Sequence, residues 1–363
     1  MLLQAYLRNG GTIEGLTNQY AIKVTRSERL SSLYLFKYDQ INSPFTEPLV
    51  RECRGVILDS ENGWNVVCRP FDKFFNLGEQ LAAPIDWSTA RIQEKLDGSL
   101  MTMYYYQDDW HVSSSGNPDA AGNVNAWPMD FATLFWDTFH ATKLQGKYLD
   151  PNFNYMFELT SPYNMVVVPH MEPKLTLIGV RHVESGQEFN PAYDGQNFPL
   201  AQTFPMSSFE DVLASFDKLD GQRFEGYVVV DGKYNRVKVK HPQYVALHHL
   251  KDSVGASPKR LVEIIRKNES EEFLTYFPEF KERFLALKEK YTRLVEQMEY
   301  EWDCIKDRER NLGYLLSRKQ FAVYAKDGAC PAFLFQKLDN RVDTARQFLA
   351  DMQIDQLMVY LEK

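Results

Sequence analysis

The spacing of apolar residues changes near residue 250, and that change restricts the fold more than any single motif. Before it, apolar runs of strand length alternate with turn residues. Residues 55–59 read as a strand ending in the turn 60–63. Residues 100–106 read as another, interrupted at Gln107, Asp108 and Asp109 and resumed at 110–112. Further strands are expected at 155–159, 165–168 and 175–180. Residues 226–230 and 237–240 have the pattern of a hairpin, with the Asp231-Gly232 step expected to supply the positive φ of its turn. After Tyr244 the period becomes helical. Ser257 and Pro258 are the residue types of an N-cap and a first helical position. Phe280, Phe284, Leu287, Tyr291, Leu294, Met298, Trp302 and Ile305 then recur at steps of three or four, one apolar stripe on a long helix. A third helical stretch is expected over about 344–361. The expected architecture is α+β: an antiparallel-sheet domain over residues 1–250, then a small all-helical domain over 251–363.

Of the 363 residues 44% are hydrophobic and 25% charged, the balance of a folded soluble protein. No apolar run approaches the roughly 18 residues that span a bilayer, and residues 1–10 lack the pattern of a signal peptide. Cys53, Cys68, Cys304 and Cys330 form no CxxC pair and have no histidines at metal spacing, which argues against a disulfide framework and a zinc site. The expected location is the cytoplasm, of a cell or of an infected host, with no membrane partner. Net charge is −8, so a nucleic-acid partner would have to be met by cations gathered in one cleft.

Chemistry concentrates at Glu94-Lys95-Leu96-Asp97-Gly98-Ser99. A lysine at a strand end, followed by Asp and Gly, presents its amine beside a tight turn where backbone can approach a phosphate. A KxDG match arises by chance in roughly one chain in ten of this size. A second copy, Lys218-Leu219-Asp220-Gly221, is indeed present, so the string alone decides nothing. The downstream residues separate the two copies. After Lys95 come Phe157-Glu158-Leu159, the run 174–181 closed by Arg181, Glu225-Gly226-Tyr227-Val228, and Lys238-Val239-Lys240. Each lies on or beside an expected strand, so two carboxylates and two lysines can converge on one cleft. After Lys218 the Glu225 string comes too soon, and that copy reads as a turn. An ammonium cannot attack phosphorus, and cations such as Lys238 and Lys240 beside a reacting lysine favour its free amine.

This ordered set resembles the nucleotidyltransferase motifs of covalent ligases and capping enzymes. Two upstream strings, Arg51-Glu52-Cys53-Arg54-Gly55 and Arg69-Pro70-Phe71-Asp72-Lys73-Phe74-Phe75-Asn76-Leu77, resemble the RNA ligase 1 family of tailed phages. The resemblance covers most of residues 50–250 and rests on helical character alone beyond them. DNA ligases and capping enzymes usually carry a β-rich OB module after the KxK strand; the helical turn of this sequence favours RNA joining instead.

The resemblance implies an ATP-dependent RNA ligase. Lys95 would attack the α-phosphate of ATP and expel pyrophosphate. The AMP would pass to a 5′-phosphate on RNA, and a 3′-hydroxyl would displace it. Lys95, Asp97, Lys238 and Lys240 are the implied catalytic residues. Glu158 and Glu225 would hold Mg²⁺ or Mn²⁺, with Asp97 orienting the turn or joining the outer shell, and with the ribose hydroxyls as an alternative partner for Glu158. Arg54 and Lys73 would hold the β- and γ-phosphates, Glu94 and Gly98 would flank the nucleotide, and Ile178 and Val228 would line the adenine pocket. Tyr244 and Arg181 would meet RNA. A local basic cleft of Arg51, Arg54, Arg69, Lys73, Lys95, Lys238 and Lys240 would offset the negative charge of the chain. Two departures stand out: residues 112–116 (Val-Ser-Ser-Ser-Gly) replace a lysine-bearing stretch, and Met165 stands where the phage relative has arginine. The rival readings are a DNA ligase or GTP-using capping enzyme with the same covalent step, and an inactive RNA-binding relative. Retention of Lys95, Glu158 and both KxK lysines argues against the last. RNA with 5′-phosphate and 3′-hydroxyl ends is the implied partner, a nicked tRNA being one target, and nothing in residues 251–363 identifies it.

Overall fold

The computed structural model describes residues 1–125, 127–142, 149–193, 198–250 and 257–362. Residue 251, where the helical domain is expected to begin, lies outside them. The chain divides into two units, residues 1–39 with 43–248, and residues 40–42 with 249–363.

In the first unit, α1 (Leu2–Arg8) and α2 (Ile13–Tyr20) precede a four-stranded antiparallel sheet. Its strands β1 (Ile22–Arg26), β2 (Leu33–Tyr38), β3 (Arg54–Asp59) and β4 (Asn65–Cys68) pair in that order, with the short α3 (Pro48–Glu52) leading into β3. Alternation sends Phe36, Val56 and Leu58 onto Leu3, Leu7 and Leu16 of the two helices. The Glu52 carboxylate accepts the Leu2 and Leu3 backbone N–H groups at 3.0 and 2.9 Å, satisfying donors the start of α1 would otherwise leave open.

The remaining strands are β5 (Phe75–Asn76), β6 (Arg91–Lys95), β7 (Ser99–Tyr106), β8 (Asp109–Ser114) and β9 (Phe153–Thr160), then β10 (Lys174–His182), β11 (Glu188–Phe189), β12 (Thr203–Phe204), β13 (Gly226–Val230) and β14 (Arg236–Lys240). They build two five-stranded sheets, ordered β11-β10-β9-β7-β8 and β12-β6-β13-β14-β5. Pairing is antiparallel except between β14 and β5. In the first of these sheets Met101, Met103, Tyr155, Phe157 and Leu159 pack on Leu134, Phe135 and Phe139 of α4 (Phe131–Ala141). In the second, Ile92, Tyr227, Val229, Val237 and Val239 pack beside Val212 of α5 (Phe209–Ser215). With period two, the opposite faces are left to Leu100 and Glu158 on one sheet, and to Gln93, Lys95, Val228, Lys238 and Lys240 on the other. Helix α6 (Pro242–Leu250) comes after β14.

The second unit is helical: α7 (Pro258–Arg266), α8 (Ser270–Tyr276), α9 (Lys281–Leu312), α10 (Arg318–Ala325), α11 (Pro331–Leu338), α12 (Ala345–Ala350) and α13 (Ile354–Glu362). The Ser257 hydroxyl caps α7 by accepting the Arg260 N–H. The α9 stripe packs as its period requires: Phe284, Tyr291, Met298 and Ile305 are buried among Leu261, Ile265, Phe321, Phe333 and Leu357. Each such side chain contributes roughly 1.5–3 kcal/mol by leaving water. Among the described residues no helix is long and apolar enough to cross a membrane.

The α+β class with antiparallel sheets and C-terminal helices is as expected, and three local expectations fail. Residues 165–168 form no strand; the Val167 and Val168 N–H groups go to the Asp97 carboxylate instead of a ladder. The β13–β14 hairpin takes its positive φ at Tyr234 (62°), not at Gly232. There the Asp231 carboxylate accepts the Lys233 and Asn235 N–H groups and shapes a longer loop. The stretch 344–361 is two helices, α12 and α13, parted at residues 351–353.

Candidate active site

Lys95 ends β6, and its neighbour on β13 is Gly226, which in turn pairs with Lys240 on β14. Gly226 has φ 145°, and a Cβ there would lie 2.3 Å from the Val239 carbonyl oxygen, so the middle strand must be side-chain-free at this level. Lys95 and Lys240 therefore stand at one level two strands apart, roughly 10 Å along the sheet, with no side chain between them.

Glu225, one residue before β13, is 4% exposed, and its Oε2 accepts a hydrogen bond from Lys95 Nζ at 2.8 Å. Burial raises the proton affinity of this carboxyl, while Lys95 and Lys240 pull it back down. Glu158 reaches the same place from β9. Burial pushes its pKa up to about 7; Lys95 opposes the rise and Glu225 adds to it. Burial also raises the Glu94 carboxyl. The Gly98 N–H donates to Glu158 Oε1 at 3.1 Å. A Cβ on Gly98 would sit 2.4 Å from the Leu159 carbonyl oxygen, so only glycine lets the turn after Lys95 lie against β9.

These groups line a cavity of about 210 Å³. One sheet contributes Gln93, Lys95, Val228, Lys238 and Lys240; the other contributes Leu100, Glu158 and Ile178. Ile178 reaches it because it is the extra residue of a β-bulge between Leu177 and Gly179. Arg54, Glu94, Glu225 and Arg236 complete the polar lining. The arrangement offers apolar walls for a flat base and several cations for phosphate. Two hard-oxygen donors, Glu158 and Glu225, suit Mg²⁺ or Mn²⁺ bound with phosphate and water. Among the described residues no cluster of three or more His, Cys, Asp or Glu could form a fuller metal cage.

Four expected site residues are placed elsewhere, and a fifth, Lys73, lines a cavity that adjoins this one and shares Phe74 and Arg236 with it. Asp97 is 5% exposed and does not line the cavity: Oδ2 accepts the Val167 and Val168 N–H groups at 2.8 and 2.7 Å, and Oδ1 accepts the Tyr244 hydroxyl at 3.0 Å. The carboxylate orients the turn, and the metal-shell expectation is corrected. Tyr244 is 2% exposed, with its hydroxyl held by Asp97, so it is interior and not an RNA-facing residue. Arg181 is likewise turned inward. It pairs with Asp72 at 2.9 Å and donates to the Pro70 and Gly186 carbonyls at 2.6 and 2.8 Å, clamping the segment that carries Phe71. Gly98 gives its N–H to Glu158, which leaves no free N–H for a phosphate. Lys73 lines a neighbouring cavity with Arg51, its ammonium 4.5 Å from the Phe45 ring centre. The basic cleft is thus smaller than expected: Arg54, Lys95, Lys238 and Lys240 share the cavity, Arg51 and Lys73 line the next one, and Arg69 packs over Gly186. Lys218 lies in a 3-10 turn outside the cavity.

Seven lining residues had no expected role, and among them Arg236, Phe71 and Phe74 arrange the charge. Arg236 stands over the Phe71 ring at 4.2 Å and pairs with Glu188 at 2.7 Å. Phe74 carries the Arg54 guanidinium at 4.8 Å, and Lys238 Nζ and the Arg236 guanidinium at 5.6 Å, so one ring meets three cations. The signal for Arg236 was present: Arg236, Lys238 and Lys240 alternate on one face of β14. Phe71 and Phe74 carry no mark that separates them from core aromatics.

A family model described as RNA ligase matches residues 52–244, more than half of the chain. An RNA ligase of Rhodothermus phage RM378 is 31% identical over 85% of this chain and 85% of its own length. The chain belongs to the RNA ligase 1 family. A second relative of this ligase is a putative bifunctional polynucleotide kinase/RNA ligase of Autographa californica nuclear polyhedrosis virus. It is 30% identical over 76% of this chain and 41% of its own length, so the ligase here spans less than half of that protein. A solved archaeal ATP-dependent RNA ligase has a TM-score of 0.46 at 13% identity, covering 72% of this ligase and 67% of that chain.

Proposed function

We propose that this ligase joins RNA ends through a lysyl-AMP formed on Lys95 from ATP. One juxtaposition carries the reading: the Lys95 amine, 2.8 Å from the Glu225 carboxylate, shares a cavity with Glu158, Arg54, Lys238 and Lys240. Ile178 and Val228 supply apolar contact for the adenine. Lys95 gives up a proton along its hydrogen bond to Glu225, whose raised proton affinity suits it as acceptor. The freed amine attacks the α-phosphorus, and the bond to pyrophosphate breaks as the N–P bond forms. Arg54, Lys238 and Lys240 bear the charge that moves onto the departing pyrophosphate. Glu158 would hold Mg²⁺ or Mn²⁺, with Glu225 joining it only when free of the Lys95 proton; the ion would neutralise phosphate charge when bound.

A 5′-phosphate of RNA then displaces Lys95 from the same phosphorus. A 3′-hydroxyl next attacks the 5′-phosphorus and releases AMP. Through both steps Asp97 holds the turn that aims Lys95, by its bonds to Val167, Val168 and Tyr244. The natural ends are 5′-phosphate and 3′-hydroxyl, and a nicked tRNA is the repair substrate we favour.

Incubation with α-labelled ATP and Mg²⁺ tests the first step. Label should attach to the wild type and to Lys218→Ala, and should be absent from Lys95→Ala. Labelling of Lys95→Ala would overturn the assignment. Competition by GTP and NAD, then joining assays on RNA, DNA and nicked tRNA ends, test nucleotide and substrate in turn.

A further inference from the structure

Lys37 on β2 is a half-buried lysine with no carboxylate partner among the described residues. Its Nζ meets the Ser115 hydroxyl at 3.4 Å, just beyond the end of β8. Gly116 makes room for the ammonium: a Cβ there would stand only 3.3 Å from Nζ. Lys23, paired with Lys37 across β1, has Asp39 at 2.6 Å; Lys37 has no such acid among the described residues. On the other side its register partner on β3 is Arg54, whose guanidinium lines the Lys95 cavity. Side chains paired in this way lie about 5 Å apart at Cβ. Gly55, the next residue, has φ 93° and packs on the Ser115 backbone, where a Cβ would be 3.3 Å from Ser115 Cα, so β3 and the end of β8 are held together.

Burial lowers the proton affinity of Lys37; Tyr38 opposes this, and Lys23 and Arg54 add to it. A purely structural lysine would run its stem over apolar surface and carry its ammonium out to water or to an acid. This one is held beside a second cation and a hydroxyl, an arrangement that costs stability until an anion joins it.

We propose that Lys37, Ser115 and Arg54 form a phosphate subsite continuous with the Lys95 cavity. The proposal rests on the lysyl-AMP reading and extends it. Ser113, Ser114 and Ser115 occupy the stretch in which the family resemblance leads one to expect lysines, and Lys37 returns an ammonium to Ser115 from a different strand. The phosphate has two sources: the β- and γ-phosphates of ATP, or the 5′-phosphate of the RNA.

Lys37→Met keeps the stem and removes the charge. Label transfer from ATP to Lys95 and AMP transfer from isolated adenylated protein to 5′-phosphorylated RNA separate the two sources. Loss of one charge-assisted hydrogen bond to phosphate predicts slowing by about 10- to 100-fold. Slowing of the first step assigns the ATP phosphates, and slowing of the second alone assigns the RNA. The double variant Lys37→Ser with Ser115→Lys should recover most of what Lys37→Ser alone loses, because the ammonium is restored at the same place. Binding of inorganic pyrophosphate, measured by calorimetry, asks the question without catalysis, and Lys37→Met should weaken it about tenfold if the ATP phosphates are the source. Absence of any adduct in the wild type would end the lysyl-AMP reading, while the pyrophosphate measurement would still judge the subsite. Lys37→Met within twofold of wild type in both transfer steps and in pyrophosphate affinity would overturn the proposal, as would a double variant no better than Lys37→Ser.

Discussion

Glu158→Gln should stabilise the ligase at pH 8 far more than at pH 5. In the wild type the folded carboxyl holds its proton to about pH 7, whereas in the unfolded chain it releases it near the ordinary value of 4.5. Where the unfolded state binds fewer protons, stability falls as pH rises. The loss therefore accumulates between pH 4.5 and 7 and is complete above. The cause is burial of the charge, reinforced by Glu225 and only partly relieved by Lys95. Glutamine does not titrate and can still accept the Gly98 N–H. From pH 5 to pH 8 the advantage of the variant should grow by about 2.5 kcal/mol, at 1.36 kcal/mol for each pKa unit. For a domain of this size that is roughly 5 °C in Tm. Thermal melts of both proteins at pH 5 and pH 8, without nucleotide or divalent ion, measure it. With Glu158 holding the divalent ion as proposed, the same variant should also lose lysyl-AMP formation. A stability gap that is constant with pH, or that shrinks toward pH 8, would refute the assignment of a costly buried charge to Glu158.

Arg181→Met should cost about 2–4 kcal/mol, because it leaves Pro70 and Gly186 carbonyls and the Asp72 carboxylate without their donor. RNA affinity per folded molecule should stay within twofold, and a large affinity loss at unchanged Tm would return Arg181 to the RNA interface. Tyr244→Phe should lower stability by about 1 kcal/mol and slow adenylation, both through Asp97, in melts and label transfer. Gly226→Ala should cost about 3 kcal/mol or more from the positive φ and the contact with Val239, read as a fall in Tm or loss of soluble protein.

Period-two patterns located the strands that carry the site because one face of each sheet is core and the other is cavity. Val237 and Val239 bury while Lys238 and Lys240 do not, and that alternation is written in the sequence. It misled at residues 165–168, where three valines look like a strand but a carboxylate far away in sequence takes the N–H groups of Val167 and Val168. Motif order brought Lys95, Glu158 and Glu225 together correctly. It could not say which polar residues turn inward. Arg181 and Tyr244 have the chemistry of RNA contacts, and only tertiary partners, Asp72 and Asp97, decide their direction. The helices α1, α2, α4 and α5 escaped notice because each is short and its apolar residues merge with neighbouring strand-like runs. Lys73 lies beside Phe74 in the chain; Phe74 lines both cavities and Lys73 only the adjoining one.

The Asp97 carboxylate reaches a residue 147 positions later in the chain. During synthesis the nucleophile turn leaves the ribosome early, and its last tether, Tyr244, arrives near the end of the ligase domain. Until then the lysine is present but unaimed. On the lysyl-AMP proposal, capture of an adenylate would report that the whole first unit has been made and folded, and a nascent chain halted before α6 should be chemically silent toward ATP.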